Sequence, residues 1–515
     1  MLIAFVMLYL AVTIGIGLYA ARRVHSAKDF LVAGRSLPLY MNMATVFATW
    51  FGAETVLAVS STFVKDGLRG VVADPFGASA CLILVALFLA RGFYRLDLLT
   101  IGDFYRRRYN KTVEIGTGIA ITLSYLGWTS AQMIALGIVL NVLSGGAISI
   151  PQGVMIGAAV VLVYTLFGGM FAVAFTDLFQ VVIIVLGLLY IAWLLAGMAG
   201  GVGAVMTAAT SEGKLDFWPA LDAKEIIAFV AAFLTMALGS IAQQDVFQRV
   251  TSAKDEKTAV RGTLFGGMFY LVFAFVPMFI AVSALLIMPE MVRPLLDTEG
   301  TDFQLILPRL ILESTPLFAQ VLFFGALLSA ILSTASGALL APTAIFTENI
   351  VRPLFGHRMG DATFLLLLRL VLVGFALATM LFALNSESSM YEMVQNAYKV
   401  TLVAAFTPLV FGMFWRGATP QGALVSIVCG LGTWIAMENV APEGIVPPQL
   451  VGLGAAILGM LVGSLAPRVF GGHGHPDVVD KAAGRVPSHA HGHGHGGHGA
   501  AGTGAASSAT TRAAP

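Results

Sequence analysis

Hydroxyl side chains recur in one apolar segment at a spacing suited to binding a small cation. Within residues 330–337 (AILSTASG), Ala330, Ser333 and Thr334 are three or four positions apart, which places them on one face of a helix. A backbone carbonyl and two hydroxyls are hard oxygen ligands of the kind that small hard cations prefer. The alternative is that both hydroxyls bond to their own helix or to a neighbouring helix. Spacing alone leaves both interpretations open.

A carboxylate lies in the middle of another apolar run. Glu54 follows Trp50 and two small residues in the segment ATWFGAET at 48–55. An ionisable residue inside a membrane span is costly and is therefore a candidate functional residue. Glycine, an indole and a carboxylate suit a helix that unwinds and lines a cavity better than one that faces lipid.

Other ionisable residues in apolar runs allow structural and functional interpretations. Asp74, which precedes a proline, either caps a helix or contacts the solute. Asp177 either takes part in an ion site or pairs with Thr176 or with the backbone at a helix end. Lys399 either neutralises a buried carboxylate or extends its amine outward to the membrane surface.

Seven of the nine histidines lie near the carboxyl terminus, in a segment rich in Gly, Ala and Ser. This composition cannot bury a core and predicts a disordered cytoplasmic tail from about residue 467. Imidazoles are common metal ligands, so weak metal binding by the tail is a second prediction. The candidate ligands are His473, His475, His489, His491, His493, His495 and His498.

Composition defines the elements that must position these residues. The chain has 515 residues, of which 58% are hydrophobic and only 11% are charged, against about 25% charged residues in soluble domains. Cys81 and Cys429 both lie in apolar runs, which excludes a disulfide framework. About thirteen runs are long enough to span a bilayer. They cover residues 2–21, 39–63, 71–90, 114–143, 151–167, 173–198, 225–244, 264–288, 317–345, 363–385, 391–414, 421–438 and 450–466.

The distribution of Lys and Arg predicts the orientation. With thirteen spans and an external amino terminus, about 21 of these residues fall in cytoplasmic loops or the tail and about 6 fall outside. Backbone groups at membrane depth must be paired internally, so the fold class is an all-α membrane protein. We expect an integral protein of the bacterial inner membrane, with its carboxyl terminus in the cytoplasm.

Five segments together resemble the solute:sodium symporter family over about residues 1 to 467. They are DFLVAGRSLP at 29–38, YTLFGGM and AVAFTD at 164–177 with Gln180, FQR at 247–249, STAS at 333–336 and WRGATPQGA at 415–423. The resemblance implies a core of two inverted repeats of five helices. It implies the following organisation: 1–38 first helix and cytoplasmic loop, 39–198 first repeat, 199–224 external loop, 225–414 second repeat, 415–466 two further helices, and 467–515 tail.

The resemblance also implies the members of a sodium site. Carbonyls of Ala48 and Phe51 on the first core helix are matched with Ala330, Ser333 and Thr334 on the eighth. Asp177 corresponds to an acidic position that the family keeps near this site. Sodium is thus the expected coupling ion, and no organic cofactor is expected.

The implied solute site combines features of several subgroups. Glu54, Thr55 and Asp74 fall where sugar carriers have polar groups. Trp50 and Trp128 fall where choline transporters have aromatic residues that surround a quaternary ammonium through their ring faces. Gln243 stands where those transporters have a further tryptophan, so the cage is incomplete, and Gln243 and Gln244 could instead bond to a polar solute. Packing or interfacial anchoring is the alternative role for both tryptophans.

We therefore expect a transporter that couples sodium entry to uptake of a small organic solute, one that is cationic or zwitterionic. Two alternatives are a proton-coupled symporter of the same fold and a transporter-like solute sensor. A metal-handling protein is disfavoured because no histidine lies in an apolar run. Enzymatic activity is not expected, since the bundle contains neither a phosphate-cradling loop nor a Ser/His or Cys/His pair. The expected partners are the solute and the lipid bilayer, with no nucleic acid, and the oligomeric state is not predicted.

Overall fold

The computed structural model describes residues 2–297, 302–355, 360–467, 469–470 and 474–485. Among them helices dominate, and an isolated bridge between Leu37 and Ala253 is the only β pairing. We number the helices used below as α1 Leu2–Ala21, α2 Ala27–Val32, α3 Leu39–Trp50, α4 Glu54–Asp66, α5 Leu68–Leu96, α6 Ile101–Arg108, α7 Lys111–Leu143, α8 Ile150–Met198, α9 Val202–Ser211, α10 Ala223–Gly239, α11 Gln244–Thr251, α12 Glu256–Ile287, α13 Pro289–Asp297, α14 Ile306–Ser314, α15 Leu317–Val351, α16 Asp361–Asn385, α17 Met390–Phe414, α18 Pro420–Val440, α19 Pro448–Leu465 and α20 Asp477–Ala482.

The predicted number of membrane spans is not confirmed by the described residues. Within the described ranges, ten helices are long and apolar enough to cross a membrane, or eleven if the bent pair α3 and α4 is one span. The all-α class is confirmed, and the count of thirteen is not. The predicted runs 151–167 and 173–198 lie on either side of Gly169, where the backbone is not helical (φ 49°, ψ −146°), so α8 consists of two helical segments joined at a kink.

Gly169 is required at this kink for two reasons. Its positive φ is unfavourable for residues with a side chain, and a Cβ at this position would lie 2.5 Å from the backbone oxygen of Phe30. The kink therefore lets α2 pack against α8.

Two helices are interrupted, one in each half of the chain. The axis turns by 54° between α3 and α4, and α10 gives way at residues 240–243 to the short helix α11. After each interruption come four long helical segments: α5, α7 and the two segments of α8 in the first half, and α12, α15, α16 and α17 in the second. This order is what two repeats require, whereas the bounds 39–198 and 225–414 remain a prediction.

The break after Trp50 is caused by close packing. Phe51 has φ −88° and ψ 76°, outside the helical region. A Cβ on Gly52 would lie 2.5 Å from both Thr334 Oγ1 and Glu54 Oε2. Only glycine fits between these groups, so the chain turns where α15 approaches it most closely.

Part of the segment predicted to be disordered lies against the bundle. The helix α20 buries Val478, Val479 and Ala482 and contacts α5 and α17. Arg416 pairs with Asp480 at 2.5 Å, so both apolar and charged contacts hold this segment.

The predicted metal ligands of the tail are mostly outside the described residues. His475 is described, and its backbone N–H donates to Arg108 O at 3.1 Å. His473, His489, His491, His493, His495 and His498 lie outside the described residues. In the described part of the chain, no group of three or more His, Cys, Asp or Glu could hold a metal ion.

Candidate functional site

The predicted ion-binding residues of α3, α8 and α15 meet at one point. Ser333 Oγ lies 3.0 Å from Ala48 O and 2.5 Å from Asp177 Oδ1. Thr334 Oγ1 donates to the same Ala48 carbonyl at 3.2 Å. All four residues have no exposed surface. The structure thus joins a carbonyl, two hydroxyls and a carboxylate inside the bundle.

The remaining two predicted members lie on the same helices. Phe51 is the residue at which α3 ends, and Ala330 lies one turn before Ser333 on α15. Both are fully buried. The second oxygen of Asp177, Oδ2, has no hydrogen-bond partner. A buried acceptor without a partner is unusual, and a cation bound here would provide one.

Arg249 supplies positive charge near this point and was not among the predicted site residues. Its Nε donates to Thr49 Oγ1 at 2.8 Å, and the residue is 2% exposed. The guanidinium attracts both Asp177 and Asp245 electrostatically. Arg249 belongs to the FQR segment at 247–249, which carried part of the family resemblance but was not interpreted as part of a site.

Three aromatic rings from α3, α7 and α17 form a cluster near the break. Trp50 stacks on Tyr398 with 6.2 Å between ring centroids and 6° between the planes. Trp128 lies 6.3 Å from each of these rings. The two predicted tryptophans are therefore brought together, and Tyr398 completes the aromatic cluster Trp50, Trp128 and Tyr398.

Glu54 is bonded to the edge of this cluster. Trp128 Nε1 donates to Glu54 Oε1 at 2.9 Å, and Gln132 Nε2 donates to Oε2. Gln132 also accepts the backbone N–H of Ala53 at 3.1 Å. Both donors to the carboxylate are neutral, so the negative charge of Glu54 has no direct cationic partner among the described ion pairs.

Thr55 and Asp74 are connected through one phenol. Tyr270 OH lies 2.9 Å from Thr55 Oγ1 and donates to Asp74 Oδ1. Asp74 is 3% exposed, and it interacts electrostatically with Glu54. Asp74 is therefore held next to Glu54, and Tyr270 is a further residue that the sequence interpretation missed.

The two predicted glutamines point to different places. Gln243 Nε2 donates to Ser124 Oγ at 3.0 Å and to Thr401 Oγ1 at 3.4 Å. Gln244 Oε1 instead accepts the backbone N–H of Ile101 at 2.8 Å, at the start of α6. Gln243 thus lies between α7 and α17, where Trp128 and Tyr398 also lie, while Gln244 stabilises a helix end.

Lys399 adopts the outward alternative. Its Nζ lies 3.5 Å from Glu438 Oε1 on α18. Lys399 is therefore paired at the side of the bundle and leaves Glu54 and Asp74 without its charge.

Comparisons with known proteins identify the family of the chain. The model for the sodium:solute symporter family matches residues 30–430. The chain is 26% identical over 444 residues to the human high affinity choline transporter 1, covering 84% of this chain and 75% of the relative. It is 24% identical over 465 residues to the high-affinity proline transporter PutP of Bacillus subtilis, covering 87% and 95%. It is 23% identical to the sodium/glucose cotransporter of Vibrio parahaemolyticus, covering 82% of each chain.

Solved structures share the fold. A Na+-coupled sialic acid symporter in a substrate-bound outward-open state superposes with a TM-score of 0.76 at 18% identity, over 91% of this chain and 99% of that one. Mhp1, a nucleobase-cation-symport-1 family transporter, gives a TM-score of 0.57 at 14% identity, over 90% and 96%.

The family match covers most of the chain, and the relatives are transporters and not enzymes. An integral membrane protein is also what the apolar helices require. The chain therefore belongs to the sodium:solute symporter family, and this membership supports sodium-coupled symport of a small solute.

Proposed function

We propose that this protein imports a small, positively charged organic solute together with sodium by alternating access. The observation that carries the proposal is the carbonyl of Ala48, which accepts both Ser333 and Thr334 directly beside the helix break. Trp50 is the last residue before that break, and Glu54 is the first residue of the helix after it. Ion and solute would therefore act on the same interrupted helix.

The chemistry of the residues suits sodium. Sodium is a hard cation, and carbonyl, hydroxyl and carboxylate oxygens are hard ligands. Ala48, Ser333, Thr334 and Asp177 provide all three kinds of oxygen. In the proposed cycle, the hydroxyl hydrogens of Ser333 and Thr334 turn away from Ala48 O, and sodium binds between this carbonyl and the two hydroxyl oxygens. Sodium also gives Asp177 Oδ2 a partner, and these contacts stabilise the break between α3 and α4.

The solute side favours positive charge. Glu54 is bonded to Trp128 and Gln132, and Asp74 is bonded to Tyr270, so only neutral groups bond to these carboxylates. A buried carboxylate is costly unless it is paired. The faces of the aromatic cluster attract cations, so a cationic or zwitterionic amine satisfies both features.

Import follows from the driving force in a cell with a negative interior. One charge moving through about 100 mV releases about 2.3 kcal/mol, and a tenfold sodium gradient adds about 1.4 kcal/mol. The energy released by one sodium per cycle thus supports roughly a few-hundredfold accumulation of the solute, before the positive charge of the solute itself is counted. We place the protein in the bacterial inner membrane with its amino terminus outside and its carboxyl terminus in the cytoplasm, as the Lys and Arg distribution favours.

The screen that tests this proposal uses purified full-length protein. Thermal stability is measured with amines, amino acids, sugars and carboxylates. Each compound is tested in sodium buffer and in potassium buffer, neither of which contains choline. We expect an amine or amino acid to stabilise the protein only when sodium is present. A sugar or a carboxylate as the only sodium-dependent ligand would overturn the charge assignment.

Transport is then measured in proteoliposomes with the ligand found. A sodium gradient is expected to drive accumulation, and a proton gradient alone is not. Accumulation driven by protons alone would favour the alternative of a proton-coupled symporter. Sodium-dependent binding with no uptake would favour the alternative of a solute sensor.

A further inference from the structure

A charged cavity of about 390 Å³ lies at one end of the bundle, apart from the ion and solute regions. It is lined by residues that follow α2, by the end of α5, by the start of α12 and by the segment 474–485. Among the described residues that line it, none was assigned above to sodium or to the solute. Pockets that hold small ligands typically measure about 300–1,000 Å³, so this cavity has room for one.

The two carboxylates of the lining are already paired with guanidinium groups. Arg35 Nη1 donates to Asp97 Oδ1. Arg95 donates twice to Glu256, from Nε to Oε2 at 2.9 Å and from Nη2 to Oε1 at 3.0 Å. The side chains of Asp97 and Glu256 are 60% and 35% exposed, so water as well as arginine stabilises their charge. A guanidinium has five N–H donors, and both arginines therefore keep donors that these carboxylates do not use.

Basic residues outnumber acidic residues around the cavity. Lys28 and Arg91 approach the same two carboxylates at 3.6 and 3.9 Å. Lys481 lines the cavity, and its ammonium forms no ion pair within 4.0 Å with another described residue. The basic residues that line the cavity or pair with its two carboxylates are Lys28, Arg35, Arg91, Arg95 and Lys481. The surroundings are thus positively charged, and Lys481 is available to an anion.

The fold fixes Arg35 at the cavity wall. This residue has φ 57°, a left-handed conformation that residues with a long side chain rarely adopt. Its guanidinium carbon lies 3.9 Å from the centre of the Tyr94 ring, and its Nη2 donates to Tyr94 O at 2.7 Å. Such backbone conformations persist where the surrounding structure imposes them, and they are frequent at ligand sites. The cationic wall is therefore in place before a ligand binds.

We propose that the cavity binds a phosphate group, carried either by an anionic phospholipid or by a soluble phosphorylated compound. Guanidinium groups bind phosphate oxygens through paired N–H donors, and lysine binds them as a point charge. Lys481 bonds to the phosphate together with the remaining donors of Arg35 and Arg95. In the proposed orientation this end of the bundle faces the cytoplasm, where basic pockets between membrane helices bind lipid headgroups. This ligand is separate from the transported solute.

A phosphate in the cavity joins two parts of the chain. Lys481 belongs to the segment 474–485, whereas Arg95 belongs to α5. These parts already touch, because Arg95 Nη1 donates to Ala482 O at 3.3 Å. Gly484 comes so close to this guanidinium that a Cβ would lie 2.5 Å from Nη1. The bound phosphate therefore strengthens the docking of the segment on the bundle.

Stability titrations of the purified full-length protein test the phosphate site. The probes are phosphatidylglycerol, phosphatidylcholine with the same acyl chains, and inorganic pyrophosphate. We expect phosphatidylglycerol, pyrophosphate or both to raise the thermal midpoint, because a ligand of the folded state stabilises that state. Phosphatidylcholine, whose headgroup has no net charge, should not raise it.

Two matched lysine variants locate the binding. Lys481→Gln should raise the half-saturating concentration of the active probe about fivefold, as loss of one basic residue implies. Lys111→Gln removes an exposed lysine at the start of α7, on the same side of the membrane in the proposed orientation. It should change that concentration by less than about twofold.

Hydrogen exchange of the segment 474–485 gives a second measurement. We expect the active probe to slow exchange of its backbone amides in the wild-type protein, and to slow it less in Lys481→Gln at the same concentration. A response to phosphatidylglycerol alone would identify a lipid as the source of the phosphate. A response to pyrophosphate alone would identify a soluble compound, and a response to both would mean that the phosphate itself is recognised.

Three outcomes would overturn the phosphate site. The first is that neither phosphatidylglycerol nor pyrophosphate stabilises the wild-type protein, or that phosphatidylcholine stabilises it equally. The second is an equal loss of affinity in Lys481→Gln and Lys111→Gln, which would indicate diffuse surface charge. The third is unchanged exchange of the segment 474–485 at a saturating concentration of the probe.

Discussion

The ion region and the solute region share the break between α3 and α4 but are built differently. The ion region takes its oxygens from α3, α8 and α15, and the residues that meet there are fully buried. The solute region gathers side chains from at least α3, α4, α5, α7, α12 and α17. In the proposed assignment, a few positions determine the ion, while changes on many helices can alter the solute.

The largest effect should come from removing the ion-region hydroxyls. Ser333→Ala combined with Thr334→Ala leaves Ala48 O without its donors and sodium without two ligands. We expect sodium-driven uptake in proteoliposomes to fall by about a hundredfold, as loss of two ligand contacts implies. Thr343→Ala is the matched control, since Thr343 lies on the same helix and bonds only to its own backbone at Leu339 O. Unchanged sodium dependence in the double variant would remove the basis for placing the ion there.

The next largest effect should distinguish the two regions. Glu54→Gln removes the charge but keeps a group of the same shape beside Trp128 and Gln132. We expect the KM for a cationic solute to rise by about tenfold or more, while the sodium concentration for half-maximal uptake changes little. Glu438→Gln is the control, because Glu438 pairs with Lys399 away from the break. Equal changes in both constants would mean that the two regions are not separable.

A moderate effect should follow from loss of one ring. Trp50→Leu removes the face that stacks on Tyr398, and we expect the affinity for a cationic solute to fall by about three- to tenfold. Trp193→Leu is the control, since Trp193 is 71% exposed on the outer surface of α8. Solute titration by thermal shift measures both. A similar loss in the two variants would point to packing and not to recognition.

Gln244 should separate stability from recognition. Gln244→Met leaves the backbone N–H of Ile101 without its acceptor, which costs about 1–3 kcal/mol. We expect a lower thermal midpoint and an unchanged KM for the solute. A raised KM with normal stability would restore Gln244 to the solute region.

The smallest effect should come from a carboxylate outside both regions. Partial burial raises the pKa of Asp97, but Arg35 and Lys28 outweigh it and hold the pKa below its usual range. The ion pair with Arg35 therefore stabilises the protein above the pKa of the unfolded chain, and this contribution is lost as the pH falls through the lower folded pKa. Because Asp97 is largely exposed, Asp97→Asn should lower the thermal midpoint at pH 7 by about 1 °C. The difference from wild type should narrow below about pH 4.

Sequence reasoning proposed site residues where the signal was local. The spacing of Ser333 and Thr334 on one helix and the small residues around Glu54 are visible in short segments. Tyr398, Tyr270 and Gln132 were missed because their roles depend on which helices pack together, which a single sequence does not show. Gln244 was assigned to the solute together with its neighbour Gln243. The interruption at 240–243 turns the two side chains in different directions, which the sequence alone does not show. The count of thirteen spans was not confirmed, but the runs 151–167 and 173–198 are separated by the kink at Gly169.

The segment 474–485 offers a way to observe the transport cycle. It contacts α5 in the first half of the chain and α17 in the second half at once, and Arg108 and Arg416 hold it in place. If the two halves move against each other during alternating access, the distance from this segment to at least one of them must change. A spin or fluorescence label on the exposed Arg485, paired in turn with one on each half, would convert that motion into a spectroscopic signal without a label inside the bundle.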